Sequence, residues 1–264
     1  MWKNDKLLAC INILFVLVLL LLAGCTSAAT EAVPTATQME SPEKPNPSTV
    51  TPQPSITAGT DDYGFPESID PSSLYLFYLH GRIIEEQGLP AISPDFGEYQ
   101  YEEILAAISS HGFVVISEQR LKDTDGIYYA EKMVGEVNAL LEAGVPASAI
   151  TVVGASKGGY IGLYTSYFLG NEDINFVLMG ICAPEEVENL KQTGVSLSGN
   201  VLTIYDAGDQ YAGSCMELYS YSEDKGLSSY DELVLDMGMG HGILYQPLDA
   251  WITPTVNWAK EHAP

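Results

Sequence analysis

The sequence predicts an α/β domain, a doubly wound, mostly parallel sheet of about six strands with helices on both faces. Three observations lead there. Short β-branched runs alternate with segments that are apolar at helical spacing, the pattern of a parallel sheet joined by helical crossovers. One run, residues 150–153, breaks into Gly154-Ala155-Ser156-Lys157-Gly158-Gly159 and resumes as an apolar helical stretch over residues 160–168. Polar residues also gather at the carboxyl ends of the runs, where open α/β sheets bind their ligands: His80-Gly81, Ser156, Asp206 with Asp209, and His241.

In chain order, residues 74–79 (LYLFYL) read as a buried strand that ends at His80-Gly81-Arg82. A polar excursion over residues 83–98 leads to Tyr101, Ile104, Leu105 and Ile108, apolar at helical spacing, and His111-Gly112 closes that helix. Residues 113–117 form the next strand. Asp123 and Asp125 precede a helix with Ala130, Met133, Val134, Val137, Leu140 and Leu141 on one face, stopped by Gly144 and Pro146. Residues 150–153 are the third strand, 174–181 the fourth, 201–205 the fifth and 232–236 the sixth. A short helix near residues 185–191 follows the fourth strand, and residues 248–261 make a closing helix.

The amino-terminal quarter is of another kind. Lys3 and Lys6 precede an apolar run over residues 7–22 and then Leu22-Ala23-Gly24-Cys25, a basic, apolar and small-residue succession that reads as a secretory signal. Leu-Ala-Gly-Cys resembles the lipobox of bacterial lipoproteins, and the resemblance implies cleavage before Cys25, lipidation of its thiol and a place in the cell envelope outside the cytoplasm. Residues 26–69 are rich in Pro, Ser, Thr and Ala and carry no helix or strand period, so they read as a tether. At roughly 3.1 Å per residue it would reach on the order of 100 Å. The expected division is therefore signal 1–25, tether 26–69 and folded domain 70–264.

A formal net charge of −24, with only 11 Lys and Arg, repels nucleic acid and excludes it as a partner. No metal-ligand spacing occurs, and no cofactor is expected. The only membrane contact foreseen is the lipid anchor, and a monomer is expected. Of four cysteines, Cys10 lies in the signal and Cys25 in the lipobox. Cys182 and Cys215 remain, an even pair for an oxidising compartment, and the adjacency of consecutive strands lets them form a disulfide.

Gly154-x-Ser156-x-Gly158 between a strand and a helix matches the nucleophile elbow, where small residues allow a strained serine at the apex. At this point the chain resembles a small member of the α/β-hydrolase superfamily over residues 74–264. His80-Gly81 is similar to that family's oxyanion-loop motif, residues 201–209 to the strand and loop that deliver the acid, and Gly240-His241-Gly242 to the histidine loop. The family's first two, antiparallel strands have no counterpart here. The resemblance implies Ser156 as nucleophile, His241 as base and Asp209 as acid, with His80 and Gly81 at the substrate. Asp206 is left as a brace for the loop, with little expected from Asp206→Asn, and Asp236 is a third choice for the acid. The oxyanion hole would combine the backbone N–H groups of Lys157 and Arg82. Their two side-chain charges are either solvated or face an anionic group on the substrate. The function implied is an exported serine hydrolase acting on soluble esters. Peptidase or amidase activity, or a surface-binding lipoprotein without catalysis, are the alternatives.

Overall fold

The computed structural model describes residues 63–264; the expected signal, Cys10, the expected lipobox with Cys25 and the expected tether up to residue 62 lie outside the described residues. In chain order the elements are β1 (Leu74–Leu79), α1 (Arg82–Gln87), a small hairpin of β2 (Ile92–Ser93) and β3 (Gly97–Glu98), α2 (Tyr101–Ser109), β4 (Phe113–Ile116) and α3 (Gly126–Glu142). Then come β5 (Ile150–Ala155), α4 (Lys157–Leu169), β6 (Asn175–Met179), α5 (Pro184–Gln192), β7 (Gly199–Asp206), α6 (Met216–Ser222), β8 (Leu227–Leu235), a 3-10 turn (Gly240–Tyr245) and α7 (Asp249–Glu261).

The main sheet has six strands in the order β4-β1-β5-β6-β7-β8. Every neighbouring pair is parallel, so the sheet is wholly rather than mostly parallel. Side chains alternate across it. Tyr75, Phe77, Ile150, Val152, Phe176 and Leu178 pack under α3, α4, α5 and α6. Leu76, Tyr78, Val153, Val177, Leu202 and Ile204 face α2 and α7, where Trp251 is fully buried. With both faces covered, the central strands have no polar side to show, which is why they read as continuous apolar runs.

The structure adds α6, which the sequence reading lacked, and three further details differ. β8 starts at Leu227 instead of residue 232, because an edge strand is half solvated and Ser228, Ser229 and Asp231 hide its period. Asp236 lies just past that strand, not within it, and is exposed. The excursion over residues 83–98 contains α1 and the β2–β3 hairpin, both too short to leave a periodic signal. Among the described residues no strand pairs with the outer edge of β4.

Candidate active site

Ser156 sits between β5 and α4 with φ 54° and ψ −118°, a conformation that a non-glycine residue holds only where its surroundings force it. Its N–H donates to the Met179 carbonyl at 2.8 Å. The first turn of α4 rests on the end of β1 without intervening side chains, and a Cβ on Gly158 would be driven into the Leu79 carbonyl. That close approach sets His80-Gly81-Arg82 beside the serine. A Cβ on Gly81 would lie 3.8 Å from Ser156 Cβ.

The candidate acid and base lie beyond the ends of β7 and β8. His241 Nδ1 is 2.7 Å from Asp209 Oδ2, and the Asp209 side chain is wholly buried. With Asp209 accepting from Nδ1–H, Nε2 is left as the acceptor for a serine proton. Ser156 and His241 line one cleft, though no hydrogen bond joins them among the described residues. Such contacts commonly tighten only when the acyl group is bound.

Asp206 does more than cap a turn. Fully buried, it accepts from Gly208 N at 3.0 Å and Gly240 N at 3.1 Å on Oδ1, and from Met237 N at 2.8 Å on Oδ2. It therefore ties the acid loop to the histidine loop. Burial pushes its carboxyl upward, yet the N–H groups of Met237, Gly208 and Gly240 outweigh that and hold it below the usual carboxylate range.

The cleft has a volume of about 860 Å³ and is lined by Gly81, Arg82, Ser156, Lys157 and His241 near the elbow, with Phe96, Tyr99, Tyr160, Tyr211 and Tyr245 around them. The backbone N–H groups of Arg82 and Lys157 make no backbone hydrogen bond among the described residues. Arg82 is exposed at the lip and enters no salt bridge among them. The Lys157 ammonium is not free: it pairs with Glu85 and donates to the Thr124 carbonyl at 2.6 Å, its side chain 18% exposed.

His80 does not reach the substrate space. It is fully buried, and burial, aided by the Arg120 charge, holds its imidazole well below the ordinary range. Of the other histidines, His111 is exposed and far from the elbow in sequence. His262 is held at the end of α7, its ring 2.9 Å from Trp258 O and 3.1 Å from Ser229 Oγ.

Sequence reasoning missed four contributors. Gly180, with φ +64°, packs against the imidazole, and a Cβ there would come within 3.0 Å of His241 Cε1. Phe96, on the hairpin, lies 6.3 Å from the His241 ring and 5.3 Å from Tyr245, ring centre to ring centre. Glu85 and Arg120 form a buried pair behind the elbow. A glycine ending an otherwise bulky strand was the one visible signal, at Gly180. Cys182 and Cys215 are joined, which staples the loop after β6 to the start of α6 beyond the acid loop. Among the described residues no His, Cys, Asp or Glu cluster could hold a metal.

No protein-family model matches the sequence, and no curated protein is significantly similar to it. Solved structures are. The chain superposes on SOBER1 of Arabidopsis thaliana with a TM-score of 0.50 at 10% identity, covering 72% of this chain and 99% of that one. A candidate dienelactone hydrolase from Klebsiella pneumoniae gives a TM-score of 0.51 at 11% identity, with coverage of 74% and 90%. Likeness at such identities is likeness of fold.

Proposed function

We propose that this chain, which has the α/β-hydrolase fold, is a serine hydrolase that cleaves carboxylic esters of soluble substrates through an acyl-enzyme. The observation that carries the reading is the 2.7 Å pairing of His241 with the buried Asp209 in the same cleft as a strained Ser156. In this mechanism Ser156 Oγ attacks the acyl carbon while His241 Nε2 takes its proton. Asp209 holds the imidazole in the tautomer that leaves Nε2 free and balances the charge that forms. The carbonyl oxygen, now an anion, accepts from the N–H groups of Lys157 and Arg82. The intermediate collapses, the alcohol leaves with the proton from His241, and a water repeats the sequence to release the acid.

The cleft argues for small, uncharged substrates. Its rim carries Glu86, Asp95 and Glu186, and among the described residues Arg82 is the one lining cation without a salt-bridge partner, so an anionic substrate meets more repulsion than attraction. The segment after β6 holds only α5, and the hairpin reaches over the histidine side without enclosing the cleft. Aromatic walls open to water suit short acyl groups better than long ones. The lipobox and tether would place this activity outside the cytoplasm, anchored by lipid at Cys25.

The test is labelling with a fluorophosphonate followed by peptide mapping, together with Ser156→Ala. Modification at Ser156, and a turnover loss of roughly 10⁶ in a folded variant, are expected. Turnover close to wild type in Ser156→Ala would remove the serine mechanism.

A further inference from the structure

Behind the elbow lies a group of charged side chains that the triad does not use. The side chains of Arg120 and Glu85 are 0% and 1% exposed, and Arg120 Nε donates to Glu85 Oε1 at 2.6 Å. Lys157 pairs with the other oxygen, Glu85 Oε2. Arg120 extends the chain of contacts toward β1. Its Nη2 donates to the His80 carbonyl, and its backbone N–H donates to His80 Nε2 at 2.9 Å. The neutral His80 ring is thereby left with its proton on Nδ1, which donates to the Gly81 carbonyl at 2.8 Å.

The order of those contacts has a direct consequence. The Gly81 carbonyl and the Arg82 N–H belong to one planar peptide unit and point in opposite directions. Anchoring the carbonyl to His80 Nδ1–H fixes where the Arg82 N–H points. At its other end the chain holds the side chain of Lys157, whose own N–H is the second donor to the oxyanion.

We infer that Lys157, Glu85, Arg120 and His80 are positioning residues which lock the two backbone donors of the oxyanion hole into register across the gap between β1 and the elbow. The inference rests on the serine-hydrolase reading above. A buried ion pair is a poor device for stability alone, because apolar side chains of similar volume often do as well. Here the pair joins the two segments whose separation decides whether a tetrahedral oxygen is held by both donors or by one. The two cations also exceed the one carboxylate between them, which leaves positive charge behind the developing oxyanion in a site of low dielectric.

The test compares Lys157→Met, Glu85→Gln and Lys157→Arg with wild type. It measures kcat and KM on p-nitrophenyl acetate, Ki for a trifluoromethyl ketone that becomes an oxyanion adduct on Ser156, and thermal unfolding. Lys157→Met and Glu85→Gln should lower kcat by about 10- to 100-fold with KM within about twofold, and Ki for the ketone should rise by the same factor as kcat falls. Lys157→Arg should recover most of both. Should Glu85→Gln fail to fold with Arg120 left unpaired, the less buried Lys157→Met still decides the matter. A folded Lys157→Met with unchanged kcat and Ki overturns the inference, as does a fall in kcat with the ketone affinity intact. Wild-type protein that takes no fluorophosphonate label would instead bring down the hydrolase reading and this inference with it; a labelled wild type with silent network variants brings down this inference alone.

Discussion

Replacing Asp206 with Asn changes one atom type in the buried carboxylate that ties the acid loop to the histidine loop. The carboxylate accepts three N–H groups, two on one oxygen and one on the other. An amide offers a single acceptor oxygen, so at least one donor loses its partner and confronts an NH₂ group. A hydrogen bond to a charged group contributes about 1.5–3 kcal/mol, and a stranded buried donor costs about 1–3 kcal/mol. A loss of about 3 kcal/mol at neutral pH follows, or a fall in Tm of about 6–12 °C for a domain of this size. The pH dependence has a definite sign. The folded Asp206 has a depressed pKa, so its stabilisation is complete above the unfolded value of about 3.9 and is lost as pH falls through the folded one. Urea unfolding should show the full gap between wild type and Asp206→Asn at neutral pH and a narrowing gap below about pH 4. Turnover should drop by at least about tenfold, since the same N–H groups set the distance between Asp209 and His241. A variant that melts with wild type at neutral pH, or whose deficit is the same in acid, would refute the bracing role.

Other outcomes can be checked alongside. Gly180→Ala forces a methyl group to within 3.0 Å of His241 Cε1 and 2.7 Å of Leu244 Cδ1 at φ +64°, so kcat should fall by about tenfold or more while KM changes little. Opening the Cys182–Cys215 bridge, which spans 33 residues, should cost on the order of 3 kcal/mol in denaturant titrations run with and without reductant; equal midpoints would refute it. Rates on p-nitrophenyl esters should decline from acetate to palmitate with no jump at the micelle threshold, and a rise toward long chains would show that the cleft closes over its substrate. Asp209→Asn should reduce kcat by about 10⁴ while leaving the melting temperature near wild type, because its work is on the imidazole.

The succession of strands along the chain and the elbow were legible because both are written in backbone constraints. A parallel sheet covered on both faces demands apolar runs, and a strand-to-helix turn packed on Leu79 demands glycine at Gly158. Position near strand ends singled out Asp206, Asp209 and His241, and the choice of Asp209 over Asp206 came from the family resemblance. What escaped the sequence is what depends on long-range packing. Glu85 and Arg120 are 35 positions apart and carry no local pattern, so two charged residues in polar stretches read as surface. The family resemblance set His80 at the substrate, whereas its ring turns inward to Arg120. The edge strand β8 was cut short in the reading for the opposite reason, since water replaces the neighbour that would have imposed a period.

An all-parallel sheet also bears on when the site comes into being. On the proposed mechanism, Ser156 follows β5, the third strand of the main sheet in chain order, while its base waits on the last, β8, which among the described residues pairs only with β7. An emerging chain would therefore carry the proposed nucleophile for a long interval with no partner able to take the proton. Parallel pairings of such wide sequence separation are slow to form, because loop-closure entropy is lost before their contacts can compensate. On that mechanism hydrolysis begins only once the final strand has docked, so the first turnover of a refolding sample should mark the completion of the sheet and can be timed against the burial of Trp251, which belongs to the closing helix.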